Sequence, residues 1–249
     1  MTTAGARPAG IEDEAAAAVA VRQMFDSIAP RYDLLNHLLS SNIDRLWWRR
    51  TARQFADVLA RPDAAVLDVC CGTGDMTMAM LGLRPKDARP ILAIDFARNM
   101  LARGAQKFAG LGAIAIEADA LRLPISSQSV DLIVTAFGFR NLANYQAGLE
   151  EFHRVLKPGG HLGILEFGTP GGLAGKAYAF YFLRILPVVG ALVCGKREPY
   201  NYLPNSVDNF PRPPELLAQM RTAGFDRCVW QPYTFGVAGL YSAVRGPVA

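Results

Sequence analysis

A chain of 249 residues with 51% apolar and 19% charged side chains is too apolar to be disordered and long enough to bury a substantial core. Its 26 basic against 22 acidic residues leave a net charge of +4, a mild bias toward an anionic partner. The basic residues are scattered rather than blocked, which argues against nucleic acid and is equally compatible with an anionic lipid surface.

The first ten residues are expected to be loose. The run "IEDEAAAAVAVRQMFDSIA" predicts a helix with its acids in the first turn, where the helix dipole favours them, and Pro30 as its stop. Nothing at the N-terminus pairs basic residues with a following apolar run, so a cytoplasmic protein is expected. A short helix near Asp33–Leu39 follows. Asp44 is placed to cap a longer helix, "RLWWRRTARQFADVLA", ended by Pro62.

From Ala64 the rhythm changes. The apolar runs "AVLDVC", "ILAIDF", "AIAIEAD", "VDLIVTAF" and "HLGILEF" alternate with helical patterns such as "ARNMLARGAQKFAG" and "YQAGLEEFHRVL". Continuous apolar strands separated by helices predict an α/β fold, a mostly parallel sheet covered on both faces. "KPGG" at Lys157–Gly160 reads as a turn between the last such helix and strand. "CVWQPYTFG" and "VAGLYSAV" predict two further strands, in a sequence that allows an antiparallel pair. The expected organisation is a flexible segment 1–10, an N-terminal helical cap 11–62, and a main domain 63–249 interrupted by a cap insertion at about 168–224. Within that insertion "AYAFYFLRILPVVGALVCG", Ala177–Gly195, approaches the length of a membrane span. Arg184 near its middle costs about 2.5–3.5 kcal/mol at mid-bilayer. A helical hairpin or lid, apolar enough to touch lipid, is expected instead. The four cysteines, Cys70, Cys71, Cys194 and Cys228, make no metal-ligand spacing and read as small buried hydrophobes in a reducing compartment, so no metal is expected.

The chemistry concentrates at strand ends. "LDVCCGTGDM" follows a strand and opens a helix, and Gly72 and Gly74 allow a sharp turn and close approach to a ligand. Thr73 lies between them. Asp95 ends the next strand, placed to accept from both hydroxyls of a ribose. A dinucleotide fingerprint wants a third glycine where Thr77 stands, and Asp68 would repel a pyrophosphate. A cationic ligand with a sulfonium or amino group would not be repelled, so S-adenosylmethionine is favoured over a dinucleotide. Asp119 is a third strand-end acid, placed to bond an adenine amino group, with Ala120 giving backbone contact. Ordinary turn and cap roles are the competing reading.

With these motifs, "MFDSIAPRYDLLNHLLS", "FGFRNL", "FHRVLKPGGHLGILEFGTP" and "YNYLPNSVDNFP", the chain resembles the S-adenosylmethionine-dependent C-methyltransferases of menaquinone and ubiquinone biosynthesis. The match runs from about Val21 to Ala243. It departs at Asp44, where many members carry His, at Gly168 and at Ala136, where Ser is common. The resemblance implies a Rossmann-like class I methyltransferase with a seven-stranded sheet, and methylation of a ring carbon of a prenylated quinol. Demethylmenaquinol is the first choice and a polyprenyl-methoxy-benzoquinol the alternative; a non-catalytic cofactor-binding partner in a quinone-synthesis complex is a second.

Such a carbon becomes nucleophilic when a neighbouring hydroxyl ionises, and a phenol of ordinary pKa near ~10 needs help to do so. Arg140 is therefore expected to face the quinol oxygen, directly or through a water, with Asn141 bonding the same oxygen. The alternative is that Arg140 pairs with Glu166 and braces the loop. Tyr32, Asp33 and Asn36 are expected over the ring. Tyr178 and Tyr202, with Tyr181 and Phe182, line a prenyl path or simply a core. Among His37, His153 and His161, His153 is the second choice for a base. The expected partners are the quinol and, at the inner membrane face, lipid; no nucleic acid is expected, and the oligomeric state is open, a homo-oligomer included.

Overall fold

The computed structural model describes residues 5–8, 11–29, 43–168, 170, 202 and 205–246. Helix α1 spans Glu14–Ile28, and the Asp13 carboxylate caps it by accepting from the Ala16 N–H at 2.8 Å. Helix α2 runs Ile43–Gln54 and a single turn, α3, Ala56–Leu59. The long helix expected from Asp44 to Pro62 is thus broken at Phe55, whose backbone leaves the helical region while its ring enters the core. Asp44 lies inside the first turn of α2 and is buried, so it is not the cap.

The alternation then unfolds as the sequence predicts: β1 Val66–Val69, α4 Asp75–Leu81, β2 Ile91–Asp95, α5 Arg98–Lys107, β3 Ala113–Glu117, β4 Val130–Ala136, a 3-10 turn Phe139–Asn141, α6 Tyr145–Val155, β5 Leu156–Phe167, α7 Pro213–Thr222, β6 Phe225–Tyr233 and β7 Ala238–Arg245. The seven strands form one sheet in the order β3-β2-β1-β4-β5-β7-β6. The strands β1 to β5 are parallel, and β7 runs antiparallel to both β5 and β6. "KPGG" is not a separate turn. Between the pairs Val130–Leu156 and Leu132–His161, β4 advances two residues and β5 five, so the tetrad is a bulge inside a long strand.

Strand alternation divides the core between the two faces of the sheet. Leu67, Val69 and Ile133 pack with Leu149 and Phe152 of α6 and Leu216 and Met220 of α7. Val66, Leu132 and Val134 pack on the opposite side with Trp47, Trp48 and Phe55 from α2 and its end, and with Met76 and Met80 of α4. Burying each such side chain contributes about 1.5–3 kcal/mol. The central strands are covered this way on both faces, and the chain order reverses between β1 and β4. The carboxyl ends of the strands at such a reversal are where an open α/β sheet leaves a crevice.

The opening of the chain, expected to be loose, is tied at residues 5–8. The Ala6 N–H donates to the Leu142 carbonyl at 2.7 Å and Arg7 Nη1 to the Ala143 carbonyl at 2.6 Å. These acceptors lie just after the 3-10 turn. Among the described residues no helix is long and apolar enough to cross a membrane.

Candidate active site

A cleft of about 980 Å³, counting its mouth, opens over the ends of β1, β2 and β4. Its described lining carries four carboxylates, Asp68, Asp75, Asp95 and Asp119, and no Lys, Arg or His. In a chain of net charge +4 this is a local reversal of sign. It disfavours a phosphate ligand and favours a cation.

The loop after β1 builds the floor. Cys70 turns with φ 57°, Gly72 with φ 54° and Gly74 with φ 82°. A Cβ on Gly74 would lie 2.9 Å from the Phe108 ring, so the loop both needs left-handed backbone and leaves no room for a side chain. Asp95 fastens the loop. Its Oδ2 accepts from the Gly72 N–H at 2.7 Å and its Oδ1 from the Ala97 N–H at 2.8 Å. With the Phe96 N–H as a third donor, the carboxylate still keeps an acceptor site, so the ribose contact expected from the sequence is open to it. Burial pushes the Asp95 carboxyl up to about 6, against the pull of these N–H groups.

Asp68 lies on the α4 face of β1 and is fully buried. Its Oδ2 accepts from the Thr77 hydroxyl at 2.5 Å, while Oδ1 has no partner among the described residues. Thr77, at the place of the missing third glycine, is therefore the anchor of this acid. Burial first, and then the Asp95 charge, raise Asp68 to about 7. An orphaned carboxylate oxygen beside a cavity is costly and calls for a positive or hydrogen-bonding ligand. Thr73 lines the cleft with these residues; Asp75 does too and accepts Lys107 Nζ at 2.7 Å. Asp119 sits two residues beyond β3, where its Oδ1 accepts from the Leu121 N–H at 2.9 Å and holds the turn carrying buried Ala120 into the cleft wall.

The β4 end forms the opposite wall. Phe137 turns with φ 57°, and Gly138 packs so closely under β1 that a Cβ there would run into the Cys70 side chain. Asn141 reaches the cleft. Its Oδ1 accepts from the Tyr202 hydroxyl at 3.0 Å, and its Nδ2 donates to the Phe137 carbonyl at 3.4 Å. Burial raises Tyr202 to about 12, so the phenol stays protonated and donates.

Arg140 is placed differently from the expectation that it faces a substrate oxygen. Its guanidinium is buried outside the described lining of the cleft, paired with Glu166 through Nη1 to Oε2 at 3.0 Å. Nη1 also donates to the Phe137 carbonyl and Nε to Ser206 Oγ at 3.3 Å. The Arg140 N–H donates to Glu166 Oε1 at 3.0 Å, and the Tyr145 hydroxyl to the Arg140 carbonyl at 2.9 Å. This is the bracing arrangement, in which the pair clamps the 3-10 turn to β5. The physical reason is that Glu166, one residue before the end of β5, lies directly beside the end of β4, where Ala136 pairs with Leu165.

His153, the second choice for a base, packs edge-on against Phe225 at 5.3 Å, and His161 lies near Phe55. Neither lines the cleft. Tyr32, Asp33, Asn36 and Tyr178, like Tyr181, Phe182 and His37, lie outside the described residues. The sequence reading missed Ala18 and Phe25, which bring α1 to the cleft, and Trp48 of α2. The seven-residue spacing of Ala18 and Phe25, two helical turns on one face, was the available signal. Among the described residues no cluster has the makings of a metal site.

The reversed-order parallel sheet with its antiparallel β7 hairpin, the glycine turn and the acid-lined cleft define a Rossmann-like, S-adenosylmethionine-dependent methyltransferase. A solved S-adenosylmethionine-dependent methyltransferase from Thermotoga maritima shares the fold, with a TM-score of 0.63 over 90% of this chain and 99% of that one at 16% identity. The sequence pattern of the ubiE/COQ5 methyltransferase family matches residues 12–245, and the chain belongs to that family, a C-methyltransferase family dependent on S-adenosylmethionine. It is 45% identical to a demethylmenaquinone methyltransferase of Deinococcus radiodurans, covering 97% of this chain and 98% of that protein. It is 46% identical to one of Thermus thermophilus, covering 89% and 100%.

Proposed function

We propose that this chain methylates a ring carbon of a prenylated quinol, with demethylmenaquinol as the acceptor and menaquinol as the product. The observation that carries the reading is the two-sided cleft, acidic under one wall and aromatic and amide-lined on the other, in a chain so similar over its length to demethylmenaquinone methyltransferases. The residues fit the donor. Asp68, with its unpartnered Oδ1, and the loop Gly72–Gly74 would hold its charged end, Asp95 its ribose, and Asp119 with Ala120 its base. S-adenosylmethionine supplies there a methyl group activated by a sulfonium.

The chain's own part is to orient, exclude water and favour the ionised ring oxygen. Asn141 is the polar group of the β4 wall that faces the acceptor. With its Oδ1 filled by Tyr202 and one Nδ2 hydrogen on the Phe137 carbonyl, the amide has its second Nδ2 hydrogen to donate, the polarity that an oxyanion needs. Arg140 acts from behind as a positioning residue, its pair with Glu166 holding the turn that carries Asn141. Holding the two reactants together contributes about 7–11 kcal/mol to such a reaction. The helices of 11–62 and the insertion at about 168–224 serve as the cap, Tyr32, Asp33, Asn36 and Tyr178 as its acceptor-facing residues, and the protein works at the inner face of the membrane.

The test is the quinone profile of cells lacking the protein. A naphthoquinone short of its ring methyl should accumulate and disappear on complementation. An unchanged profile rejects the function, and a benzoquinone intermediate in its place moves the acceptor to the ubiquinone branch.

A further inference from the structure

The outer face of α2 has a composition that the methyl-transfer chemistry does not use. Trp47, Trp48, Thr51 and Ala52 turn into the core, and Asp44, the only acid of the helix, is buried with them. The exposed arc consists of Ile43, Arg45, Leu46, Arg49, Arg50, Arg53 and Gln54. Ile43 and Leu46 are 40% and 60% exposed. Arg45, Arg49 and Arg53 make no ion pair among the described residues. A helix with four cations and two aliphatics on its outer face and no exposed acid has the pattern of an interfacial helix.

A second element stands beside it. The tip of the β6–β7 hairpin is fastened to α2 by Trp47 Nε1, which donates to Thr234 Oγ1 at 2.8 Å, and by Arg50, whose guanidinium lies 4.2 Å from the Tyr233 ring centre. At that tip Phe235 is 86% exposed and sits at φ 57°. A bulky ring at positive φ is strained, and strain of this kind persists where the fold around it holds it in place. The tip also meets the residues just after β5: the Gly168 N–H donates to the Val237 carbonyl at 3.0 Å, and Pro170 lies against Gly236. The patch is also joined to the cleft. Phe137, which lines the cleft, stacks 4.4 Å from Phe167, and Trp47 meets both rings at 5.9 and 6.3 Å.

We propose that the outer face of α2 and the Phe235 hairpin tip form a docking surface for an anionic phospholipid bilayer, with the arginines on headgroup phosphates and Leu46, Ile43 and Phe235 inserted among the upper acyl carbons. The occupant follows from the pairing of charge with aliphatic side chains: a base could stack on Phe235, but Ile43 and Leu46, exposed among the arginines, offer RNA or an acidic protein nothing to pair with and suit an acyl layer. Resting on the quinol reading above, the aromatic wall from Phe235 through Trp47 to Phe137 is then the side on which a membrane-held prenyl tail meets the cleft.

The experiment is vesicle co-sedimentation of the full chain with phosphatidylcholine vesicles, alone or mixed with phosphatidylglycerol. Turnover is measured in parallel on a short-tailed, water-soluble quinol. The wild type should sediment only with the anionic vesicles and be released by high salt. Arg45→Glu/Arg49→Glu/Arg53→Glu should lower that binding by more than about a hundredfold, from roughly fivefold per cation lost, with turnover of the soluble quinol unchanged. Leu46→Ser/Phe235→Ser should leave a weaker binding that salt abolishes at lower concentration. Wild-type vesicle binding by both variants, salt-insensitive binding by the wild type, or capture of transfer RNA in preference to anionic vesicles overturns the surface. Vesicle binding without turnover of any quinol upholds the surface and rejects the function.

Discussion

Removing Arg140 strands a charge. In Arg140→Met the Glu166 carboxylate, about 1% exposed, keeps among the described residues only the N–H groups of residue 140 and of Phe167, at 3.0 and 3.2 Å. Deleting one partner of a buried pair costs about 3–5 kcal/mol, because the other is left in low dielectric without compensation. Adding Glu166→Gln removes that charge and keeps an acceptor oxygen for one of the two N–H groups, which bond different oxygens of the carboxylate. The double variant should then recover most of the loss and lie within about 1–2 kcal/mol of wild type. Urea unfolding by linear extrapolation measures both values. Turnover should separate from stability. Single and double variants should both lose kcat by at least about tenfold, a barrier rise of about 1.4 kcal/mol, with donor affinity within a few-fold of wild type, because the turn carrying Asn141 is no longer clamped. A single variant that loses less than about 1 kcal/mol, or a double variant with wild-type turnover, refutes the reasoning.

Asp68 and Asp95, raised to about 7 and about 6 by burial, should ionise when the cationic donor arrives. In the free protein a carboxyl raised above its unfolded value near 3.8 stabilises the fold most below that value, and this contribution is lost as pH rises through 6 to 7. The donor reverses the trend, so its affinity and the thermal shift it gives should grow from about pH 5 to 8 with proton release; calorimetry in buffers of different ionisation enthalpy measures this, and a flat profile contradicts it. Asp68→Asn should weaken donor binding at neutral pH and flatten that profile, read by the same titration. Gly138→Ala drives a methyl into Cys70 and should destabilise by about 1–3 kcal/mol in urea unfolding. Asn141→Ala should cut kcat by about 10²-fold with donor affinity kept, and Tyr202→Phe should cut it less, as the amide loses its orienting donor but not its place.

The strands were readable because parallel strands covered on both faces are continuous apolar runs; "VDLIVTA" could hardly be anything else. The acids at or just beyond their ends were readable for the same reason, since the last residue of such a run meets the crevice. What failed was whatever depends on a neighbour distant in the chain. "KPGG" has the composition of a turn, yet pairing with β4 absorbs it as a bulge. Asp44 has the side chain of a cap, yet lies inside α2 and turns inward. Arg140 stood at a strand end facing the crevice by position, but Glu166, 26 residues on, lies beside it across the β4–β5 ladder and takes the guanidinium. The anchoring of Ala6 and Arg7 on residues 142 and 143 left no local pattern in the sequence at all.

The central claim is tested most directly by incubating the purified protein with methyl-deuterated S-adenosylmethionine and a short-tailed demethylmenaquinol, then reading the quinone by mass spectrometry. The labelled methyl should appear on the naphthoquinone ring with wild type and not with Asp68→Asn. Label on oxygen, label on no quinol, or equal labelling by the Asp68 variant would contradict it.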